Sequence, residues 1–245
     1  MPQLKESLGY KYLQDTKLDR RSIFRMQRLR ISAVPHTKTL EPLARYQLQK
    51  APQSLSEDYL ALLVQRRSRR TFGGRSLSRE ELSALLWACQ GVTESIHSVL
   101  LRTAPSAGAL HPLETYCVLE RVEELPSGVY HLNVRDFTLG LLREGSFGAA
   151  VGSAALGQTF MAEAAACVCW SAVLRRNMAK YGHRGLRYIM MDAGHACQNF
   201  LLAAEGLGLN ACPVAAFLDD EMNRIFDLDG EQESIVYTVA VGPRG

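Results

Sequence analysis

Four arginines and one serine occupy five consecutive positions in the run RRSRRTF, Arg66 to Phe72. Guanidinium forks match phosphate oxygens bidentately and a hydroxyl adds a donor, so Arg66, Arg67, Ser68 and Arg70 make a candidate anion clamp. A solvated basic helix end fits the same letters. The run RTAPSAGALHPLE, Arg102 to Glu114, places Pro105, Ser106, Ala107, Gly108 and Ala109 before Pro112. Residues this small let a flat ligand lie against exposed backbone amides, and they equally suit an ordinary loop before a strand. GLGLNACPVAAF, Gly206 to Phe217, is a second small-residue loop with the same two readings. KYGHRGLRYIMMDAGHACQN gathers Lys180, Tyr181, His183, Arg184, Arg187, Asp192 and His195 just before and within an otherwise apolar helix. Burying that many polar groups is costly unless they are paired or used. Taken alone, Lys180 and Tyr181 read as a surface turn, and His195, a lone histidine on an apolar helix, as a structural residue.

Other chemistries lack their patterns. His195 and Cys197 are too sparse for a metal site, and the six cysteines at 89, 117, 167, 169, 197 and 212 form no Cys-x-x-Cys pair and no even framework. No Gly-x-Ser-x-Gly elbow, His-Glu-x-x-His pair, P-loop or strand-borne Gly-x-Gly-x-x-Gly is present.

The elements that must position these runs are legible in part. Leu55, Tyr59, Leu62 and Leu63 follow helical spacing toward the arginine cluster. Ser78 and Glu81 make a capping box for a helix whose apolar face is Leu82, Leu85, Leu86 and Cys89, with Gly91 as its stop. Thr115 to Leu119, Val129 to Leu132 and Phe137 to Leu142 read as antiparallel strands, and Ala166 to Trp170 and Ile235 to Val241 as buried strands. Arg184 to Leu207 reads as one long helix with Ile189, Ala193, Ala196, Phe200, Ala203 and Leu207 inward. The mixture without a βαβ rhythm predicts an α+β domain over residues 53–245.

The chain has 245 residues, with 47% hydrophobic and 22% charged, which is ordinary for a globular protein. The formal net charge is +3, but residues 1–75 hold sixteen Lys and Arg against six acids. Residues 1–52, punctuated by Pro35, Pro42 and Pro52, therefore read as a basic N-terminal arm with at most short helices. Five arginines between Arg20 and Arg30 could bind nucleic acid or a membrane surface. They carry no recognised nucleic-acid pattern, and an arm folded on its own protein is the expectation, with no nucleic-acid and no membrane partner. The polar start lacks a secretory signal, and the best apolar stretch, Phe160 to Leu174, is 15 residues long and contains Glu163. A cytoplasmic chain with reduced cysteines is expected.

Taken in order, RRSRRTF, LSREELSALLWACQGV, PSAGALHPLETY, the block from Lys180 to Phe217 and VYTVAVG resemble the FMN-dependent nitroreductase family, in its azoline-dehydrogenase branch of the SagB/ThcOx type. The likeness runs from about Leu55 to Gly242. It implies a nitroreductase-like fold with a mostly antiparallel central sheet flanked by helices. It also implies an intertwined homodimer with FMN bound across the subunit interface.

By resemblance, Arg66, Arg67, Ser68 and Arg70 hold the phosphate and ribityl end, and Arg244 stands near a phosphate-binding C-terminal region. Pro105, Ser106, Ala107 and Gly108 match the loop that reaches the flavin from the other subunit, while Pro213, Val214, Ala215 and Ala216 match the segment facing the isoalloxazine ring. Ordinary nitro and quinone reductases carry PSxxNxQP, whereas Ala109 and His111 stand at the Asn and Gln positions here. The azoline branch has a Lys-Tyr pair where this chain has Lys180 and Tyr181, and a tyrosine where it has His111. The implied chemistry is oxidation of azolines to azoles in a ribosomally made peptide, with Lys180 as base and Tyr181 positioning or relaying the proton. The alternatives are an NAD(P)H-dependent nitro or quinone reductase and a non-catalytic flavin-binding subunit that docks on a peptide-modifying partner protein.

Overall fold

The structure is a computed structural model describing Tyr12, Pro35, Thr37, Lys38 and residues 40–48, 59–96 and 99–245. Among these, the strands are β1 (Ala44–Gln47), β2 (Val92–Ile96), β3 (Val99–Arg102), β4 (Leu113–Leu119), β5 (Gly128–Asn133), β6 (Thr138–Glu144), β7 (Ala166–Val173), β8 (Leu209–Val214) and β9 (Glu233–Pro243). The helices are α1 (Tyr59–Gln65), α2 (Arg79–Gln90), α3 (Gly148–Ala154), α4 (Thr159–Glu163), α5 (Leu174–Tyr181), α6 (Gly185–Gly206) and α7 (Asp219–Ile225).

Seven strands form one antiparallel sheet in the order β1-β6-β5-β4-β7-β9-β8, and β2 and β3 make a separate hairpin. Both faces of the sheet are covered, which explains why ACVCW in β7 is apolar throughout instead of alternating. Val168, Trp170 and Ala172 of β7 join one core with Leu82, Leu85 and Leu86 of α2 and Ile189, Ala193 and Phe200 of α6. Trp170 meets Phe200 edge-on, with ring centroids 6.0 Å apart. Cys167 and Cys169, one residue out of phase, join the opposite core with Val151, Met161, Met222 and Phe226 of the α3, α4 and α7 region. All six cysteines are buried and unbridged.

The expected strands and the long helix are present, with boundaries moved by local geometry. Phe137 lies in the left-handed region (φ 55°) and closes a turn, so β6 starts one residue later. Gly206 to Phe217 corrects the loop expectation: it contains β8, which pairs with β9 at the edge of the sheet. Pro213 is tolerated there because an edge strand need not donate on its outer side. Residues 44–47, within the basic arm, are the strand β1 paired to β6, and Leu48 is buried behind it. The apolar stretch from Phe160 is α4 followed by β7, and no helix among the described residues is long and apolar enough to cross a membrane. Leu55 and the arginines from Arg20 to Arg30 lie outside the described residues.

The capping box forms as expected. Glu81 N donates to Ser78 Oγ at 3.0 Å and Ser78 N to Glu81 Oε2 at 2.8 Å. Burial raises the Glu81 carboxyl, but hydrogen bonds from Arg75 and Ser78 outweigh it and hold the group below its ordinary value. Gly91 is the C-cap of α2, its N–H donating to Trp87 O at 2.7 Å, and a Cβ there would lie 2.6 Å from the Trp87 side chain and its carbonyl oxygen, so only glycine fits. Replacing Ser78 with alanine is expected to cost about 1 kcal/mol, a fall in Tm of about 2–4 °C for a domain of this size, measured by calorimetry.

Candidate functional site

The site residues fall into two groups at opposite ends of α6. At its C-terminal end, α1 stops at Gln65 and the chain becomes extended, so that Ser68 bridges Ala211 of β8 in parallel and Arg69 N donates to Ala211 O at 3.0 Å. Glu205, buried in the last turn of α6, is the hub. It accepts from Arg69 Nη1 and from Arg244 Nη2, both at 2.5 Å, and so ties the arginine run to the C-terminal residues. Gly73 N donates to Pro243 O at 2.8 Å and completes the clasp.

Arg69 is thus consumed structurally, and Arg67 Nη1 bonds the Val64 and Arg66 carbonyls at the end of α1. Neither Arg66 nor Arg70 has an ion-pair partner among the described residues, and Arg70 lies 5.7 Å from the Phe160 ring centroid. Two uncompensated guanidinium groups flanking the exposed Ser68 form a cradle that suits a phosphate. Pro213 and Val214 close β8 beside this cradle, and the exposed Ala215 and Ala216 follow.

The second group surrounds the loop before β4. Ser106 Oγ donates to Asp192 Oδ2 at 2.6 Å and accepts from His111 N at 2.9 Å, which pins the loop to α6. Burial raises the Asp192 carboxyl, while Ser106, the Ala107 backbone and His195 oppose that shift. The loop is bent by three left-handed residues, Gly108 (φ 63°), Ala109 (φ 54°) and His111 (φ 45°). Lys180 and Tyr181 are the last residues of α5, a helix end where a turn was expected. Both reach Gly108: a Cβ on that glycine would lie 2.5 Å from Tyr181 Oη and 2.8 Å from Lys180 Nζ. Tyr181 is braced edge-on by Tyr188, with centroids 4.9 Å apart.

A Gly108→Ala substitution therefore displaces both side chains and adds the left-handed penalty of about 1–2 kcal/mol. The expected result is a folded protein with lowered Tm and at least tenfold lower turnover, read by calorimetry and steady-state kinetics.

One anchor escaped the sequence reading. Glu205 is an acid on an apolar helix opposite a basic N-terminal region, and that contrast was the available signal; Asp192 stood among the polar groups expected to be paired or used, and Ser106 is its partner. His195 is a correction of the opposite kind, since it is exposed on α6 and not packed in the core. It shares that side with Met190 (47% exposed) and Met191 (56%), and α1 exposes Tyr59, Leu63 and Val64 (71%). Asp192 and Glu205 lie about 20 Å apart along α6, from its rise of 1.5 Å per residue. The two groups of site residues are held apart by that length of helix within one chain.

A family model for the nitroreductase family matches residues 63–243. The chain belongs to the nitroreductase family. Nitroreductase MJ1384 of Methanocaldococcus jannaschii is 36% identical over 167 residues, covering 68% of this chain and 83% of the relative. The trifolitoxin-processing protein TfxB of Rhizobium leguminosarum bv. trifolii is 28% identical over 147 residues, 58% of this chain and 39% of that one.

Among solved structures, a nitroreductase from Anabaena variabilis superposes with a TM-score of 0.76 at 28% identity, covering all of this chain and 49% of its own. The chain thus spans about half the length of the Anabaena protein. Two structures at 18% identity share the fold. One is the Escherichia coli microcin synthetase complex McbBCD with truncated pro-MccB17 bound (TM-score 0.64, covering 96% of this chain and 86% of that one). The other is a nitroreductase in complex with FMN from Desulfovibrio desulfuricans (TM-score 0.54, covering 78% and 88%). Membership places this nitroreductase-family chain among the flavin oxidoreductases.

Proposed function

We propose that this chain is an FMN-dependent dehydrogenase of the SagB/ThcOx type that oxidises azoline rings in a ribosomally made peptide to azoles. The observation that carries the reading is the convergence of Lys180 Nζ and Tyr181 Oη on Gly108, in the middle of the PSAG loop. The toxin-processing name of TfxB and the truncated pro-MccB17 bound in McbBCD support a peptide in that role.

Arg66, Ser68 and Arg70 suit the phosphate and ribityl end of FMN, and the segment from Pro213 to Ala216, exposed at Ala215 and Ala216, suits the ring. FMN, when bound, supplies the hydride acceptor. Lys180, as the neutral amine, takes the proton from the ring carbon, and Tyr181 orients that amine through its own contact with the loop. Lys180 is exposed in the isolated chain, so the burial that would tune a lysine base must come from whatever covers this end of α6.

A second copy supplies that cover. The anchors of the two groups, Glu205 and Asp192, are about 20 Å apart along one helix, so the reading has each flavin take its arginine cradle from one chain and its Lys180 group from the other. The exposed apolar residues Met190 and Met191 of α6 and Tyr59, Leu63 and Val64 of α1 are surface available for that contact, because exposed apolar groups mark interaction sites. The reading is an intertwined homodimer with two sites.

The test is the visible spectrum of the purified protein, followed by anaerobic NADPH and then an azoline peptide. Flavin bands that survive NADPH and bleach with the peptide bear the proposal out. Rapid bleaching by NADPH alone moves the assignment to a nitro or quinone reductase; MJ1384 is named a nitroreductase. A colourless protein that cannot be reconstituted with FMN overturns it.

A further inference from the structure

The β2–β3 hairpin and the loop that follows it border a cleft with about 380 Å³ of open space, lined by Thr37, Val99, Arg102, Ala109, His111 and Arg135 among others. Its two arginines come from different elements: Arg102 ends β3 and Arg135 stands in the turn between β5 and β6. Arg102 is 9% exposed. Its Nη1 donates to Gln90 Oε1 at 2.9 Å, while its Nε has no acceptor among the described residues. No carboxylate among the described residues is in ion-pair contact with Arg102 or Arg135. The carboxylate that acts most on Arg102, Glu114, is already engaged by Arg176 at 2.6 Å and His131 at 2.8 Å.

Burial pushes the Arg102 pKa down to about 10, against the pull of Glu114 and with the repulsion of Arg176. The guanidinium is therefore charged at neutral pH and poorly compensated. A buried cation with an idle donor is costly, and an anion arriving from solvent relieves that cost.

We propose that this cleft is a substrate subsite for a carboxylate, with Arg102 as its buried anchor, Arg135 as its rim cation and Val99 as an apolar flank. The assignment rests on the functional reading above in one respect: the substrate reacts beside the loop whose Ala109 and His111 form the cleft wall. Gly108, adjacent to Ala109, is the residue that Lys180 and Tyr181 touch. A peptide can present the carboxylate from an Asp or Glu side chain or from its C-terminus.

The experiment is a calorimetric titration of the full-length, FMN-loaded protein at low salt with three N-acetylated tripeptides. One carries Glu and a C-terminal amide, one carries Gln and a free C-terminus, and one carries Gln and an amide. At least one charged probe is expected to bind about 10- to 100-fold tighter than the neutral one, the range of a charge-assisted hydrogen bond. Which charged probe wins identifies the source of the carboxylate.

Arg102→Met is expected to bring all three probes within twofold of each other with FMN content retained. Arg135→Ala, at the exposed rim, is expected to reduce the preference about 2- to 5-fold. Equal binding of all probes by the wild type, or a preference that persists in a folded Arg102→Met protein, overturns the subsite. Should Arg102→Met fail to fold, the wild-type comparison and Arg135→Ala decide. A wild type that prefers the charged probe but never oxidises an azoline keeps the subsite and overturns the functional reading instead.

Discussion

Replacing Lys180 with alanine is expected to lower azoline turnover by about 10²- to 10⁴-fold, the contribution of a positioned general base, while the flavin stays bound. The separation of these two readouts follows from the geometry. Lys180 reaches Gly108 near the N-terminal part of α6, whereas the arginine cradle is gathered around Glu205 at the other end of that helix. Loss of the side-chain amine thus removes a proton acceptor without touching the phosphate cradle. Tyr181→Phe keeps the ring braced on Tyr188 and removes only the hydroxyl, so a smaller loss, about tenfold, is expected. The measurement is single-turnover flavin reduction by an azoline peptide, with FMN content taken from the absorbance of the same sample. A Lys180→Ala protein that reduces its flavin at the wild-type rate would remove lysine from the mechanism.

The largest expected loss of stability comes from a cluster outside the arginine cradle. Glu114 is 4% exposed and lies between Arg176, 6% exposed, and His131, 4% exposed. Arg176 also donates to the Pro35 and His111 carbonyls and so links three chain segments. Glu114→Ala leaves a buried guanidinium without its counter-charge, a change that costs about 3–5 kcal/mol and about 6–20 °C in Tm. Burial alone would raise the Glu114 carboxyl, but the His131 hydrogen bond and the charge and hydrogen bond of Arg176 outweigh it and hold the group below its ordinary value.

The sign for pH follows from that lowered value. The contribution is present above the unfolded carboxylate pKa, near 4.5, and is lost as pH falls through the lower native value. Denaturant titrations at pH 7 and in acid should therefore show wild type and Glu114→Ala far apart at pH 7 and converging in acid. A gap that stays constant with pH would assign the stability to packing and not to the ion pair.

Local chemistry made a good part of this protein legible in its sequence. The Ser78–Glu81 box starts α2 because its hydrogen bonds span three residues, and the doubly covered strands β7 and β9 stand out because burial on both faces leaves no polar letters in ACVCW. The arginine run and the small-residue loop are likewise contiguous, so their composition betrays them. Elements whose state depends on a distant partner were not legible. The strand β8 contains a proline and follows two glycines, and it is a strand because β9 offers it an edge. The strand β1 is likewise held by β6, and His195 is exposed although its helix reads as apolar.

The site divides in the same way. By itself the sequence determined which groups are available: free guanidinium groups near Ser68, a glycine at 108, and a Lys-Tyr pair at 180 and 181. Only the tertiary structure decided that Lys180 and Tyr181 close on Gly108 and that Glu205 takes Arg69 and Arg244 out of the anion cradle. It also placed the cradle and the Lys-Tyr pair a helix length apart. The physical reason is range. Caps, periodicity and composition act over a few residues of chain, whereas ion pairs and close approach act over a few ångströms of space, and the fold alone relates the two distances.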